Sequence, residues 1–463
     1  MMLERLVAAL GPVDVLGRAP VDVRDLAYDA RAATPGALFF CVPGARADGH
    51  DFAAEAVERG AVALVVERPL DLPVPQLVVE SAREAMADAA DEFFGRPTEK
   101  LEVAGVTGTS GKTTTSFLLF AILAAAGRRP GLLGTVEARV GGERRGVVRT
   151  TPEAIDLQRT FREMLDAGDR SCAMEASSHA SELHRLDRVR FAVVVFTNLS
   201  QDHLDFHGDM ESYFRAKRRL FVDGSPRAAV NVGDEYGRRL AAELPEAVTF
   251  SLAGDAAVGP DALAGIDLKL RGSFNVENAL GALAAARLLG IDDEAIARGL
   301  ESVRGVPGRF EAVDEGQPFT VIVDYAHKPD ALENVLRAAR ELTRGRLICV
   351  VGAGGDRDRG KRPVMGRLAS ELADVAIVTS DNPRSEDPQA IIDEIVAGAA
   401  GDVEVVPDRA AAIARAVELA REGDVVLIAG KGAEQGQQFA DRTIPFDDRE
   451  AAREALRALG AAT

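Results

Sequence analysis

No segment constrains the fold of this chain more than Gly105-Val-Thr-Gly-Thr-Ser-Gly-Lys-Thr-Thr-Thr115, a glycine-rich turn closed by Lys112 and Thr113. Such a turn belongs between a buried parallel strand and a helix whose first N–H groups point into the loop. The flanks agree: Leu101–Thr107 predicts a short buried strand and Thr114–Ala126 an apolar helix. Backbone amides of Gly108, Thr109, Ser110 and Gly111 then face phosphate oxygens, Lys112 adds a mobile positive charge, and the Thr113 hydroxyl can reach a phosphate-bound Mg²⁺. The strict phosphate-loop spacing is not kept, because Val106 stands where the first glycine belongs and Gly105 lies one residue early. A glycine-rich turn holding no nucleotide is the competing account. Gly111-Lys112-Thr113 at the helix start favours a nucleoside triphosphate.

At 463 residues the chain has room for three domains of roughly 150 residues each. In the first hundred residues, strands are expected at Ala37–Val42, Val62–Val66 and Leu77–Val79, with helices at Asp51–Arg59 and Ala82–Phe94. Gly95-Arg-Pro97 breaks this pattern. After the phosphate loop, Cys172–Glu175 and Phe191–Phe196 predict buried strands and Asn275–Leu289 a helix, before a second break at Gly305-Val-Pro-Gly308. Beyond it the alternation restarts, with strands at Phe319–Asp324, Leu347–Val351, Val375–Thr379, Val403–Val406 and Val425–Ala429 and helices from Pro329 and over Arg409–Arg421. The expected architecture is α/β throughout, in three α/β domains at 1–97, 98–306 and 307–463. Parallel sheets covered on both faces put ligands at the carboxyl ends of their strands.

A net charge of −18 argues against a nucleic-acid surface, which neutralises phosphates with lysine and arginine. Cys41, Cys172 and Cys349 lie far apart with no metal-site spacing and predict reduced thiols in a cytoplasmic protein. The apolar stretch within Met1–Leu10 is too short for a signal peptide, and no run reaches the ~18 apolar residues of a membrane span.

Polar residues collect directly after the apolar strands. In the last third these are Asp324-Tyr-Ala-His327, Gly352–Asp358, Asp381-Asn-Pro-Arg384 and Gly430-Lys-Gly-Ala-Glu434. Turn formation explains the glycines and Pro383, but not charged residues at four successive strand ends. In the central region, four of the six histidines fall between 179 and 207. Glu175 ends one strand and His203 follows another, a carboxylate and an imidazole suited to Mg²⁺ or Mn²⁺ rather than a closed zinc site. For His184 and His207 a structural role weighs equally. Ser212–Arg219 reads by spacing alone as a solvated basic helix.

Together these motifs resemble the Mur ligases, the ATP-dependent amide-forming enzymes of peptidoglycan synthesis. The resemblance runs nearly the whole chain. It passes through Asp29-Ala-Arg31, Pro35–Phe40 and Asp48-Gly49, then Thr107–Thr113, Thr150-Thr-Pro152 and Glu175–His179. It continues through Asn198 with Asp202–Asp205, Ala216-Lys217, Phe274-Asn275 with Asn278, Pro307–Phe310 and Asp324–His327. The arrangement is similar to the branch that adds the third residue of the stem peptide, and Asp381-Asn-Pro-Arg384 to members using meso-diaminopimelate. The central domain would be ATPase-like, the first would bind the UDP-sugar, and the last would be Rossmann-like and bind the amino acid.

The resemblance implies the roles. Gly108 to Thr114, with Asn275, Asn278, Arg309, Asp324 and His327, would hold ATP. Thr113 and Glu175 would ligand one Mg²⁺, and His203 a second, bridged by Lys217 as a CO₂-derived carbamate. Lys112, Glu175, His203 and Lys217 would form the catalytic set. Ala30, Thr150, Thr151, Ser177 and Arg185 would hold UDP-MurNAc-L-Ala-D-Glu. Arg357, Asp381, Asn382, Arg384, Gly430 and Glu434 would line the amino-acid pocket, Arg384 on the distal carboxylate and Asp381 and Glu434 on the distal ammonium. The D-glutamate carboxylate would be activated as an acyl phosphate and attacked by the diaminopimelate amine. The chain would act as a cytoplasmic monomer in cell-wall biogenesis, cell shape and division. Where the family usually has serine, asparagine, glutamine, threonine and histidine, this chain has Ala30, Ser110, Leu183, Lys328 and Ala433. Two other enzymes compete: the same ligase taking L-lysine or another diamino acid, and a folylpolyglutamate synthetase, which lacks a counterpart to Asp29–Gly49. A nucleotide switch leaves His203, Lys217 and Arg384 unexplained.

Overall fold

The computed structural model describes residues 1–17, 20–44 and 47–462. Three large sheets follow one another along the chain, with a two-stranded antiparallel ribbon, Gly436–Gln438 and Thr443–Pro445, after the third. The first has five strands in the order Asp14–Leu16, Gln76–Val78, Ala63–Val66, Ala37–Phe40, Asp25–Ala27, parallel except for the first pair. The second has eight, in the order Val248–Phe250, Arg227–Asn231, Phe191–Phe196, Glu102–Thr107, Ser171–Glu175, Pro130–Leu133, Ala138–Val140, Glu143–Arg145, with only the last two pairings antiparallel. The third has six, in the order Glu311–Val313, Thr320–Asp324, Val425–Ala429, Leu347–Val351, Val375–Val378, Glu404–Val405, antiparallel only at the first pair.

The phosphate-loop strand Glu102–Thr107 lies mid-sheet between Phe191–Phe196 and Ser171–Glu175, so three strand ends converge beside the loop. Gly105 belongs to the strand rather than to the turn: a Cβ there would stand 2.7 Å from the Phe191 ring. The glycines that shape the turn are Gly108 and Gly111, both at positive φ. Helix Lys112–Ala125 packs against Ser273–Leu288 and Asp293–Ser302, apolar on most sides because it is buried on most sides. Gly299 permits the closest approach, since a Cβ there would lie 2.5 Å from Ile122 Cα. Other helices start from aspartate caps: Asp209, Asp234, Asp292 and Asp408 each accept the N–H three residues on.

The sheets share cores and polar contacts. Ala154 and Ile155, from the helix Ala154–Asp166, close the core of the first sheet, and Tyr28 donates to Asp156 at 2.6 Å. The third sheet meets the second through the Phe274–Phe310 ring pair, the Arg309–Thr113 hydrogen bond at 3.1 Å and the Lys328–Asp202 ion pair.

Candidate active site

The phosphate loop is held from behind by the strand end at Phe196. Thr197 Oγ1 donates to Ser110 O at 2.6 Å, Asn198 Oδ1 accepts from Ser110 N at 2.9 Å, and Thr109 N donates to Asn198 O at 2.9 Å. Gly108 leaves room for Thr197, because a Cβ would fall 1.8 Å from its hydroxyl. Gly111, at φ 86°, faces Asn278, whose Oδ1 would be 2.3 Å from a Cβ and accepts from Thr115 Oγ1 at 3.3 Å. Asn275 joins this layer through its bond from Asn278 Nδ2 at 3.2 Å. Lys112 folds back to donate to Gly108 O and Thr109 O, each at 2.9 Å. Burial and the neighbouring Lys328 charge bring its ammonium down to about 8.

Glu175 ends its strand buried, with 1% of its surface exposed. Its carboxylate accepts from Thr135 N at 2.7 Å and Thr135 Oγ1 at 3.1 Å. These bonds leave lone pairs on both oxygens. Glu175 and the Thr113 hydroxyl line one cavity, a donor set that fits Mg²⁺, which takes few protein ligands and fills its octahedron with water and phosphate.

The second-metal expectation meets different geometry. His203, left-handed at φ 53°, begins the short helix Leu204–His207, so His203 and His207 do not form an i, i+4 ligand pair within a longer helix. His203 Nε2 lies 2.8 Å from Asp202 Oδ2, and His207 Nε2 lies 3.0 Å from Ser178 Oγ. Lys217 is not solvated. Only 1% exposed in the helix Met210–Val222, it donates to Gly108 O at 2.8 Å and lies 4.6 Å above the Tyr213 ring. As an ammonium it repels a cation, and among the described residues no three His, Cys, Asp or Glu side chains converge as a metal site. With these partners the second cation does not fit. Burial, with Lys112 nearby, holds Lys217 well below the ordinary lysine range.

One cavity of about 760 Å³ joins the loop to the third domain. It gathers Thr109 to Thr114, Glu175, His203, Lys217, Asn278, Arg309, Asp324 and His327 with Thr150, Ser177, Arg185, Arg357, Arg384 and Glu434. The remaining expected residues do not line it. Gly108 and Asn275 sit behind the loop, Thr151 donates to Glu175 O at 2.8 Å, and Ala30 is buried in the first sheet's core. Asp381, Asn382 and Gly430 form a buried layer under Glu434. Ser177 caps the helix Ser178–Glu182, and Arg185 pairs with Glu153 at 2.8 Å. Asp324 accepts from Phe310 N and Ala326 N, each at 2.7 Å, and burial raises its carboxyl to about 6. Burial, then Lys328 and Lys361, lowers His327 to about 3, so it is neutral at pH 7.

Sequence reasoning missed Thr135, and it placed Asp202 and Lys431 in motifs without giving either a role. Burial alone would raise Asp202, but bonds and charge from His203 and Lys328 hold it well below the usual carboxylate range. Thr135 had a signal: Gly134 precedes it because a Cβ there would stand 2.6 Å from Glu175 Oε1.

A central phosphate loop, a buried acid beside it and a third α/β domain contributing to the same cavity define a nucleotide-dependent enzyme of three α/β domains. Residues 22–94 match the Mur ligase family, catalytic domain; residues 106–286 the Mur ligase middle domain; and residues 308–432 the Mur ligase, glutamate ligase domain. The UDP-N-acetylmuramoyl-L-alanyl-D-glutamate–2,6-diaminopimelate ligase of Solibacter usitatus is 48% identical over 96% of this chain and 95% of its own length. The same-named ligase of Geobacillus kaustophilus is 47% identical over 95% and 96%. A solved structure of a ligase of that name superposes with TM-score 0.67 at 31% identity, covering 97% of this chain and 98% of that one. The MurF ligase of Thermotoga maritima, solved in complex with ADP, shares the fold with TM-score 0.62 at 21% identity, covering 95% and 99%. The chain belongs to the Mur ligase family and is an ATP-dependent ligase.

Proposed function

We propose that this chain joins meso-diaminopimelate to UDP-MurNAc-L-Ala-D-Glu through an acyl phosphate, in peptidoglycan synthesis. The observation that carries the reading is the single cavity holding Lys112 and Glu175, then Thr150 and Arg185, then Arg384 and Glu434. In the first half-reaction an oxygen of the D-glutamate side-chain carboxylate attacks the γ-phosphorus of ATP, forming acyl phosphate and releasing ADP. Lys112 and the loop amides offset charge on the transferred group. Glu175 and Thr113 would hold Mg²⁺, which when bound would supply further positive charge there. In the second, the neutral amine of diaminopimelate attacks the acyl carbon. The C–O bond to phosphate breaks, inorganic phosphate leaves, and the proton lost from the amine passes to solvent.

Arg384 selects the amino acid. Its fork suits the distal carboxylate of diaminopimelate, and L-lysine leaves the guanidinium without that partner, at about 1–3 kcal/mol or more for a charged group. Lys217, held by burial well below the ordinary lysine range, suits attack on CO₂, and as a carbamate it would no longer repel a cation beside His203. Phosphate release with ATP and UDP-MurNAc-L-Ala-D-Glu tests the whole reading. Release with meso-diaminopimelate and little with L-lysine is expected; release with lysine alone overturns the substrate, and release needing neither peptide nor amino acid overturns the ligase.

A further inference from the structure

Beneath the strand-end loops of the third sheet lies an ionic cluster that reaches the cavity only through Glu434. Lys431 has 0% of its surface exposed and is absent from the cavity wall. Its ammonium donates to Asn382 Oδ1 at 2.8 Å and to Glu434 Oε2 at 3.1 Å, with Asp381 Oδ1 at 4.0 Å. Asn382 Nδ2 also donates to Glu434 Oε2 at 2.8 Å, so one carboxylate oxygen of Glu434 is fixed twice. Arg409 grips Asp448 through two 2.7 Å bonds and donates to Ala429 O at 3.0 Å, both side chains wholly buried. Burial would raise the Asp381 carboxyl, but Arg409 and Lys431 hold it below the usual range. An ammonium this deep is strongly unfavourable unless its partners are in place.

Charge then sorts the cluster. Asp381, Glu434 and Asp448 face Lys431 and Arg409, which leaves one negative charge in surplus. Arg384, on the cavity wall with Glu434, donates to Gly355 O at 2.7 Å and forms no ion pair among the described residues. The same cavity wall therefore carries Glu434, backed by this cluster, and Arg384, a guanidinium with no ion-pair partner among the described residues. We infer that Lys431 is a specificity-setting positioning residue: by neutralising one carboxylate and fixing Glu434, it matches the pocket to an amino acid whose far end carries both an ammonium and a carboxylate. Without it the surplus becomes two negative charges, and a far end that is ammonium alone gains. The inference rests on the proposed ligase reading and adds a residue that contacts neither substrate.

The test compares kcat/KM for meso-diaminopimelate over L-lysine, at saturating ATP and UDP-MurNAc-L-Ala-D-Glu, in wild type, Lys431→Gln, Lys431→Arg and Glu434→Gln. Lys431→Gln is expected to lower the ratio by about tenfold or more, the scale of one uncompensated charge at a partly desolvated site, with KM for ATP unchanged. Lys431→Arg should restore most of it. An unchanged ratio in folded Lys431→Gln, or KM rising equally for all three substrates, overturns the inference. If Lys431→Gln fails to fold, Glu434→Gln decides: removing a negative charge should raise the ratio, and a ratio that stays or falls refutes the idea. A wild type inactive with diaminopimelate refutes the ligase reading instead.

Discussion

His327 shows how a single residue's surroundings set its charge. It follows the strand Thr320–Asp324, its Nδ1 lies 2.8 Å from Tyr325 O, and Lys361 donates to its own carbonyl at 2.8 Å. Burial, with Lys328 and Lys361 close by, lowers it from 6.5 to about 3. The sign of the pH effect follows. Between these values the unfolded chain binds a proton on this group and the folded chain does not, so lowering pH favours unfolding. This contribution is complete above pH 6.5 and fades as pH falls toward 3, at up to about 1.4 kcal/mol per pH unit. Urea titrations of wild type and His327→Gln from pH 4 to 7 should show a shallower loss toward acid in the variant. Equal slopes would mean that His327 protonates in place. Asp324, raised to about 6, works in the opposite sense in both proteins and cancels from the comparison.

Among the elements, strands were legible where they are covered on both faces. Phe191–Phe196, Leu347–Val351 and Val425–Ala429 match their expected limits residue for residue, since buried parallel strands are apolar throughout. The edge strands Glu143–Arg145 and Glu311–Val313 pair on one side and carry polar residues, so no apolar run marked them. Helix Met210–Val222 misled for a related reason: its charge density suggests solvent, yet Tyr213, Phe214 and Phe221 bury it and take Lys217 inside. Motifs at strand ends were readable because the fold class fixes where they point. Thr135 and the pairings of Asp202 and Lys431 were not, because tertiary packing chooses hydrogen-bond partners across long stretches of chain. At this scale the loop–helix junction invites a test. Gly111→Ala places a Cβ at φ 86° and 2.3 Å from Asn278 Oδ1. The backbone alone costs about 1–3 kcal/mol, and displacing Asn278 disturbs the loop itself. Gly127→Ala, also left-handed but with nothing within 4 Å of a Cβ, carries only the backbone cost. Both should lower Tm, while only Gly111→Ala should raise KM for ATP, by tenfold or more on a scale of roughly 1.4 kcal/mol per decade. Equal KM values would show that Asn278 does not shape the nucleotide site.

For the whole molecule, the contacts between the third sheet and the second include the Phe274–Phe310 ring pair, the Arg309–Thr113 hydrogen bond and the Lys328–Asp202 ion pair. Interfaces of this kind between domains of one chain behave as docking equilibria. The ion pair is the contact most able to bias that equilibrium, because its side chains are only 16% and 14% exposed and 126 residues apart in sequence. Asp202 also holds His203 Nε2, so docking of the third domain fixes the orientation of an imidazole on the cavity wall. Lys328→Met keeps the side-chain length and removes the charge. It leaves the Asp202 carboxylate largely buried with a neutral imidazole, and breaking a buried pair on one side costs about 3–5 kcal/mol when the group cannot escape to water. Undocking is that escape. Small-angle scattering of the ligand-free variant should therefore give a larger radius of gyration than wild type, with little change in secondary structure by circular dichroism. ATP, which binds between Lys112 and the Arg309–His327 segment in the proposed reading, should close the difference. A variant as compact as wild type would mean that the aromatic and Arg309 contacts hold the domain alone.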